Sequence, residues 1–124
     1  MKFKDMPYER VNLDEFKTLA EAMKLRLSHA DSAETAASAF EEFEAASVRA
    51  ATEFELAFIR NSLDTTDEYY AAEQLFCDGV RPLFSEIVQD FTKALLESRF
   101  RAELESKWGS VMFLNAEIGL KAFS

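Results

Sequence analysis

Apolar residues along this chain recur every three or four positions, the spacing that lines one face of an α-helix, and no stretch shows the strict alternation of a half-buried strand. Leu13, Phe16, Ala20, Met23 and Leu27 form the first such face. Just before it, Asn12 is placed to cap backbone amides, with Glu15 three residues on at the spacing of a capping box. A second start lies in "DSAE", where Asp31 or Ser32 caps and Glu34 stands at the box spacing from Asp31. The helix that follows is long. Ala36, Phe40, Phe43, Ser47, Ala50, Phe54 and Ala57 alternate steps of four and three, while Glu41, Glu42, Glu44, Glu53 and Glu55 lie largely off that stripe. Ser47 is small enough to sit on the stripe with its hydroxyl bonded back to the helix backbone. Large rings alternating with small residues suit close packing on a neighbouring helix.

"SLDTTDE" ends that pattern with residues that cap or turn chains, and Thr65 with Glu68 repeats the box spacing, which predicts a boundary near Asp64. The third helix is expected to turn Tyr70, Leu75 and Phe76 inward until "CDGVRP". Gly79 is a poor interior helix residue, and Pro82 removes a donor and crowds the preceding turn, so a kink or short break is expected near Gly79–Pro82. Renewed helix then carries Phe84, Ile87, Val88, Phe91 and Leu95 on one face. Ser98 and Gly109 punctuate a short helix bearing Phe100, Leu104 and Trp108. A last helix, Val111 to about Phe123, spreads its apolar residues over more than one stripe, which marks Val111, Leu114, Ile118 and Phe123 as a candidate partner surface. Residues 1–11 carry no clean period, and Pro7 disfavours helix at Met6, so an extended or irregular arm is expected there. The expected architecture is all-α: a bundle of four to five helices, the long ones antiparallel, in a single domain spanning residues 1–124.

Composition narrows the function classes. At 124 residues, with 48% apolar residues and only three Gly and two Pro, the chain has the material for one core and few turns. A formal charge of −9 argues against nucleic acid and against anionic membrane surfaces, both of which call for Lys and Arg. No segment approaches the roughly 20 apolar residues of a membrane span, and the charged N-terminus does not resemble a signal peptide. Cys77 is the only cysteine, so no intramolecular disulfide forms, and a cytoplasmic setting is expected.

Catalytic chemistry finds few residues to work with. His29 is the sole histidine, so an HExxH zinc site cannot be completed within the chain, and the residue three before it is Arg26, which excludes the paired ExxH motifs of a di-iron bundle. His29 is better read as a polar end to the first helix. A cysteine or serine hydrolase would depend on that same imidazole, and Cys77 reads as a small buried apolar residue. The three glycines are too far apart for a phosphate loop. The glutamates of "EEFE" and "EFE" read as a solvated face rather than a cation site. No catalytic, metal-binding or cofactor-binding residue is assigned. Tyr69 and Tyr70 point about 100° apart on a helix, so one can be buried and the other free for contact.

"MKFKDMPYERVNLDEF", "FIRNSLDTTDEYYAAEQLFCDGVRP", "ALLESRFRAELESKWG" and "LKAFS" occur in an order that resembles the N-terminal region of M3-family oligoendopeptidase F-like zinc metallopeptidases. The resemblance spans nearly the whole chain, with "LDTTDEYY" followed by "KWG" as its most specific part. It implies a helical N-terminal domain without catalytic function, forming part of the wall of a cleft that admits short peptides. The HExxH site, its zinc and the catalytic glutamate would lie in a catalytic domain absent from this chain, so the chain alone is not expected to be an enzyme. Asp67, Tyr69 and Tyr70 are the candidate cleft or peptide contacts. Where the family is expected to place a histidine at the start of the corner motif, this chain has Asn61. The alternative is a stand-alone interaction or dimerisation module. In either case the expected partner, a catalytic domain or a second copy, would meet the last helix.

Overall fold

The computed structural model describes residues 7–122, which form five helices and, among the described residues, no strand: α1 (Leu13–Ser28), α2 (Ala33–Leu63), α3 (Glu68–Leu96), α4 (Arg101–Trp108) and α5 (Ser110–Ala122). The expectations for Met6 and Phe123 fall outside the described residues. The starts follow local capping chemistry: the Asn12 side chain accepts from the Glu15 amide at 3.0 Å and Ser32 Oγ from the Thr35 amide at 3.2 Å. α2, with 31 residues, is about 46 Å long.

Ring contacts set the helix directions. Phe43 stacks on Phe91 with centroids 4.0 Å apart, Phe54 meets Phe84 edge-on at 5.4 Å, and Arg60 reaches Tyr70, so α2 and α3 run antiparallel. α1 lies across both, with Phe16 touching Phe43 and Phe84. The buried faces of α1 and α2 follow most of the expected stripes, with Leu13, Phe40 and Ser47 only partly buried and Ala37, Ala39, Ala46 and Leu56 buried beside them, and Ser47 donates to the Phe43 carbonyl at 3.1 Å. The main core joins Phe16, Met23, Leu27, Phe43, Phe91 and Leu95 with Leu104 of α4 and Phe113 of α5. A second, smaller cluster holds Phe54, Ala57 and Cys77. Phe84 packs against both. Arg101 of α4 bonds Glu105 and Glu117, tying α5 to its neighbour, and Arg99 caps the Ala30 carbonyl between α1 and α2.

Three expectations change. α3 is not broken: helix is continuous through Pro82. Asp78, Gly79, Pro82 and Leu83 are all exposed, so the carbonyl of Asp78, which Pro82 leaves without a donor, is on the side where water can bond to it. Leu75 does not face inward. It is 74% exposed, and the inward positions of that turn are Glu73 and Cys77. The cap of α3 is Asp67 rather than Thr65, because Asp64 is the C-cap of α2 and Asp64 to Asp67 form the intervening turn.

Candidate functional site

The corner between α2 and α3 is the place where polar side chains converge. Asp64 Oδ1 accepts from the Thr66 amide at 3.0 Å and from its hydroxyl, and these bonds hold the Asp64 carboxyl below its ordinary pKa. Asp67 Oδ1 accepts from the amides of Tyr69 at 2.9 Å and Tyr70 at 3.4 Å, which starts α3. Tyr70 is half-buried, and its hydroxyl accepts from Arg60 at 2.7 Å. Tyr69 stands edge-on to Tyr70 with centroids 4.9 Å apart and remains 56% exposed. The structure therefore brings the three sequence candidates together but gives them different tasks. Asp67 builds the helix, Tyr70 ties two helices, and Tyr69 presents surface.

One turn further along α3 lies a group that sequence reasoning missed. Glu73 is 4% exposed, the one buried charged residue among the described residues. Its Oε1 accepts from the Tyr8 hydroxyl at 2.8 Å and from Arg10 Nε at 3.1 Å, and Oε2 accepts from Arg10 Nη2. The guanidinium holds the Glu73 carboxyl below the usual carboxylate range, outweighing the opposite effect of burial. Burial and the facing Glu73 carboxylate push the Tyr8 phenol well above its ordinary value, and burial raises the Cys77 thiol beside it. Tyr8 also contacts both tyrosines of the corner, with centroids 6.5 Å from Tyr69 and 5.7 Å from Tyr70.

Two open grooves flank this region. One, about 630 Å³, runs between the N-terminal arm, α1 and α2 and is lined by Arg10, Val11, Phe16, Arg49 and Glu53 among others. The other, about 820 Å³ and mostly apolar, lies between α2 and α3 over Phe54, Phe58, Ile59 and Phe84, with Glu55 and Arg81 on its lining. No group of three or more His, Cys, Asp or Glu side chains among the described residues is arranged to hold a metal ion. No helix among the described residues is long and apolar enough to cross a membrane. On α5, Val111, Leu114 and Ile118 are 67%, 55% and 57% exposed and share one face, whereas Phe113 is buried.

The fold and this corner define an all-α domain whose polar groups are largely engaged in holding its own helices and arm together. The chain belongs to the Peptidase M3 N-terminal domain family, whose pattern matches residues 3–123. Among solved structures it is similar to PZ peptidase A, determined with an inhibitor, at 36% identity over 99% of this chain and a TM-score of 0.94. It is also similar to a protein assigned as an oligoendopeptidase F, at 35% identity over 100% of this chain and a TM-score of 0.95. The chain spans 22% of the length of each. No curated protein matches it.

Proposed function

We propose that this chain is the non-catalytic N-terminal helical domain of an oligoendopeptidase F-like zinc metallopeptidase, where it forms part of the wall of a peptide-binding cleft. The observation that carries the reading is the close superposition of the chain on 22% of two solved peptidases, at TM-scores of 0.94 and 0.95. With a single histidine in its sequence, the chain leaves zinc binding and hydrolysis to the remaining part of such an enzyme, which we place in the cytoplasm. Of the candidate peptide contacts, Tyr69 offers the most surface, since Asp67 and Tyr70 already serve the corner.

The test is to read the gene beyond the codon for Ser124 and assay its full product. A frame that continues into HExxH, with chelator-sensitive cleavage of short peptides, is the expected result. A stop codon, or a continuation without a zinc site, refutes the proposal. The exposed apolar face of α5 favours a second reading, in which the chain is a stand-alone module that pairs with a partner or with its own copy through Val111, Leu114 and Ile118. Sedimentation velocity at rising concentration tests it, and a monomer throughout would remove self-association.

A further inference from the structure

We propose that residues 7–11 form a strap that opens and closes as one unit over an apolar seat on α2 and α3, with Glu73 as its latch. The seat is the smaller core cluster, Phe54, Ala57 and Cys77 flanked by Phe76 and Val80, and the strap contributes Tyr8 and Val11 to it. The anchoring hydrogen bonds end on two carboxylates. Tyr8 and Arg10 both donate to Glu73, and the Glu9 amide donates to Glu53 Oε2 at 2.8 Å. The Arg10 guanidinium also lies 4.1 Å from the centre of the Phe76 ring.

Such an arrangement favours two positions over a continuum. With the strap seated, Glu73 is dry but holds three hydrogen bonds. With it lifted, Glu73 regains water. A half-lifted strap that removes Arg10 while Tyr8 still covers the site leaves a buried carboxylate without its cation, the most costly of the three states. Opening also exposes the Cys77 thiol, which is 1% exposed beneath Tyr8, and removes one wall of the groove lined by Arg10, Val11 and Glu53. The strap therefore sets whether this end of the α2–α3 pair is a sealed surface or an open apolar one.

Alkylation of Cys77 by iodoacetamide in the full chain reports opening directly. In urea below the unfolding transition, the logarithm of the rate is expected to rise with a slope well below that of global unfolding followed by circular dichroism, because only a small surface is released. Arg10→Ala and Tyr8→Phe are each expected to speed alkylation on the order of tenfold or more while leaving the global urea midpoint nearly in place. Arg10→Lys, which keeps the charge and loses the two-pronged contact, falls between. A urea slope equal to the global one, or variants that leave the alkylation rate unchanged, overturns the strap. Should Arg10→Ala fail to fold, the slope measured on the unaltered chain decides by itself.

Discussion

Phe91→Ala is the most informative single truncation of the bundle. Phe91 is 2% exposed and stacks on Phe43 with planes 8° apart, and its ring also lies 6.5 Å from that of Phe40. Removing a buried phenyl group costs about 3–5 kcal/mol, the transfer term plus the cavity left between three packed helices. A domain of this size has a total stability on the order of 5–15 kcal/mol, so the variant should lose a large share of it and melt on the order of 10–20 °C lower. Urea titration at low temperature, followed by circular dichroism, gives the difference with both variants still folded at zero urea. Phe43→Ala and the double variant complete a cycle, and because each single already breaks the stack, the double variant should lose about 0.5–1.5 kcal/mol less than the sum of the singles. A loss below about 1 kcal/mol for Phe91→Ala would refute the placement of this ring at the meeting of α1, α2 and α3.

The Glu73 carboxyl has a native pKa below its ordinary 4.5, with Arg10, Tyr8 and Cys77 facing it. Its contribution to stability is therefore full above about pH 4.5 and is lost as pH falls through the lower native value. Urea midpoints should drop as pH falls below about 4.5, and Glu73→Gln should flatten that drop. Gly109 joins α4 to α5 at φ 92° and ψ 145°, a region that side chains disfavour, while a Cβ there would meet nothing within 4 Å. Gly109→Ala should cost about 1–3 kcal/mol from backbone strain alone, read as a fall in Tm. Leu75→Glu, at a position 74% exposed, should change stability by less than about 0.5 kcal/mol, and a large loss would reinstate Leu75 as core.

Much of the fold was legible because helix signals are local. Asn12 and Ser32 cap amides three residues away, and the α2 stripe buries Ala36, Phe43, Ala50, Phe54 and Ala57 as spaced, with Phe40 and Ser47 only partly covered and Ala37, Ala39, Ala46 and Leu56 buried beside it. Leu75 faces water because the inward stripe of α3 is set from its middle rather than from its start. Stepping back from Phe84 by four and three lands on Val80, Cys77 and Glu73, and a carboxylate on an otherwise apolar stripe is the available sign of a buried ion pair. Its partner was not legible, since Arg10 lies 63 residues away in a segment without periodicity. Pro82 sits within an unbroken helix for a related reason. Its cost depends on whether the freed carbonyl meets water, which a linear pattern does not reveal. The 100° between Tyr69 and Tyr70 was legible in their adjacency, but the ring of Tyr8 against both, and the latch, come only with tertiary structure.

Among the described residues, Phe84 is the single side chain that packs against both apolar clusters, with its ring 4.8 Å from Phe16 on one side and 5.4 Å from Phe54 on the other. Whether the bundle melts as one body hangs on a joint of that kind. With the ring in place, disorder in the smaller cluster withdraws contacts from the larger one, and heat should be absorbed in a single transition whose calorimetric and van't Hoff enthalpies agree. A smaller side chain there would leave the two clusters joined chiefly by the continuous α2 and α3 backbones, with the seat end yielding first, so that one aromatic residue sharpens the melting of the domain.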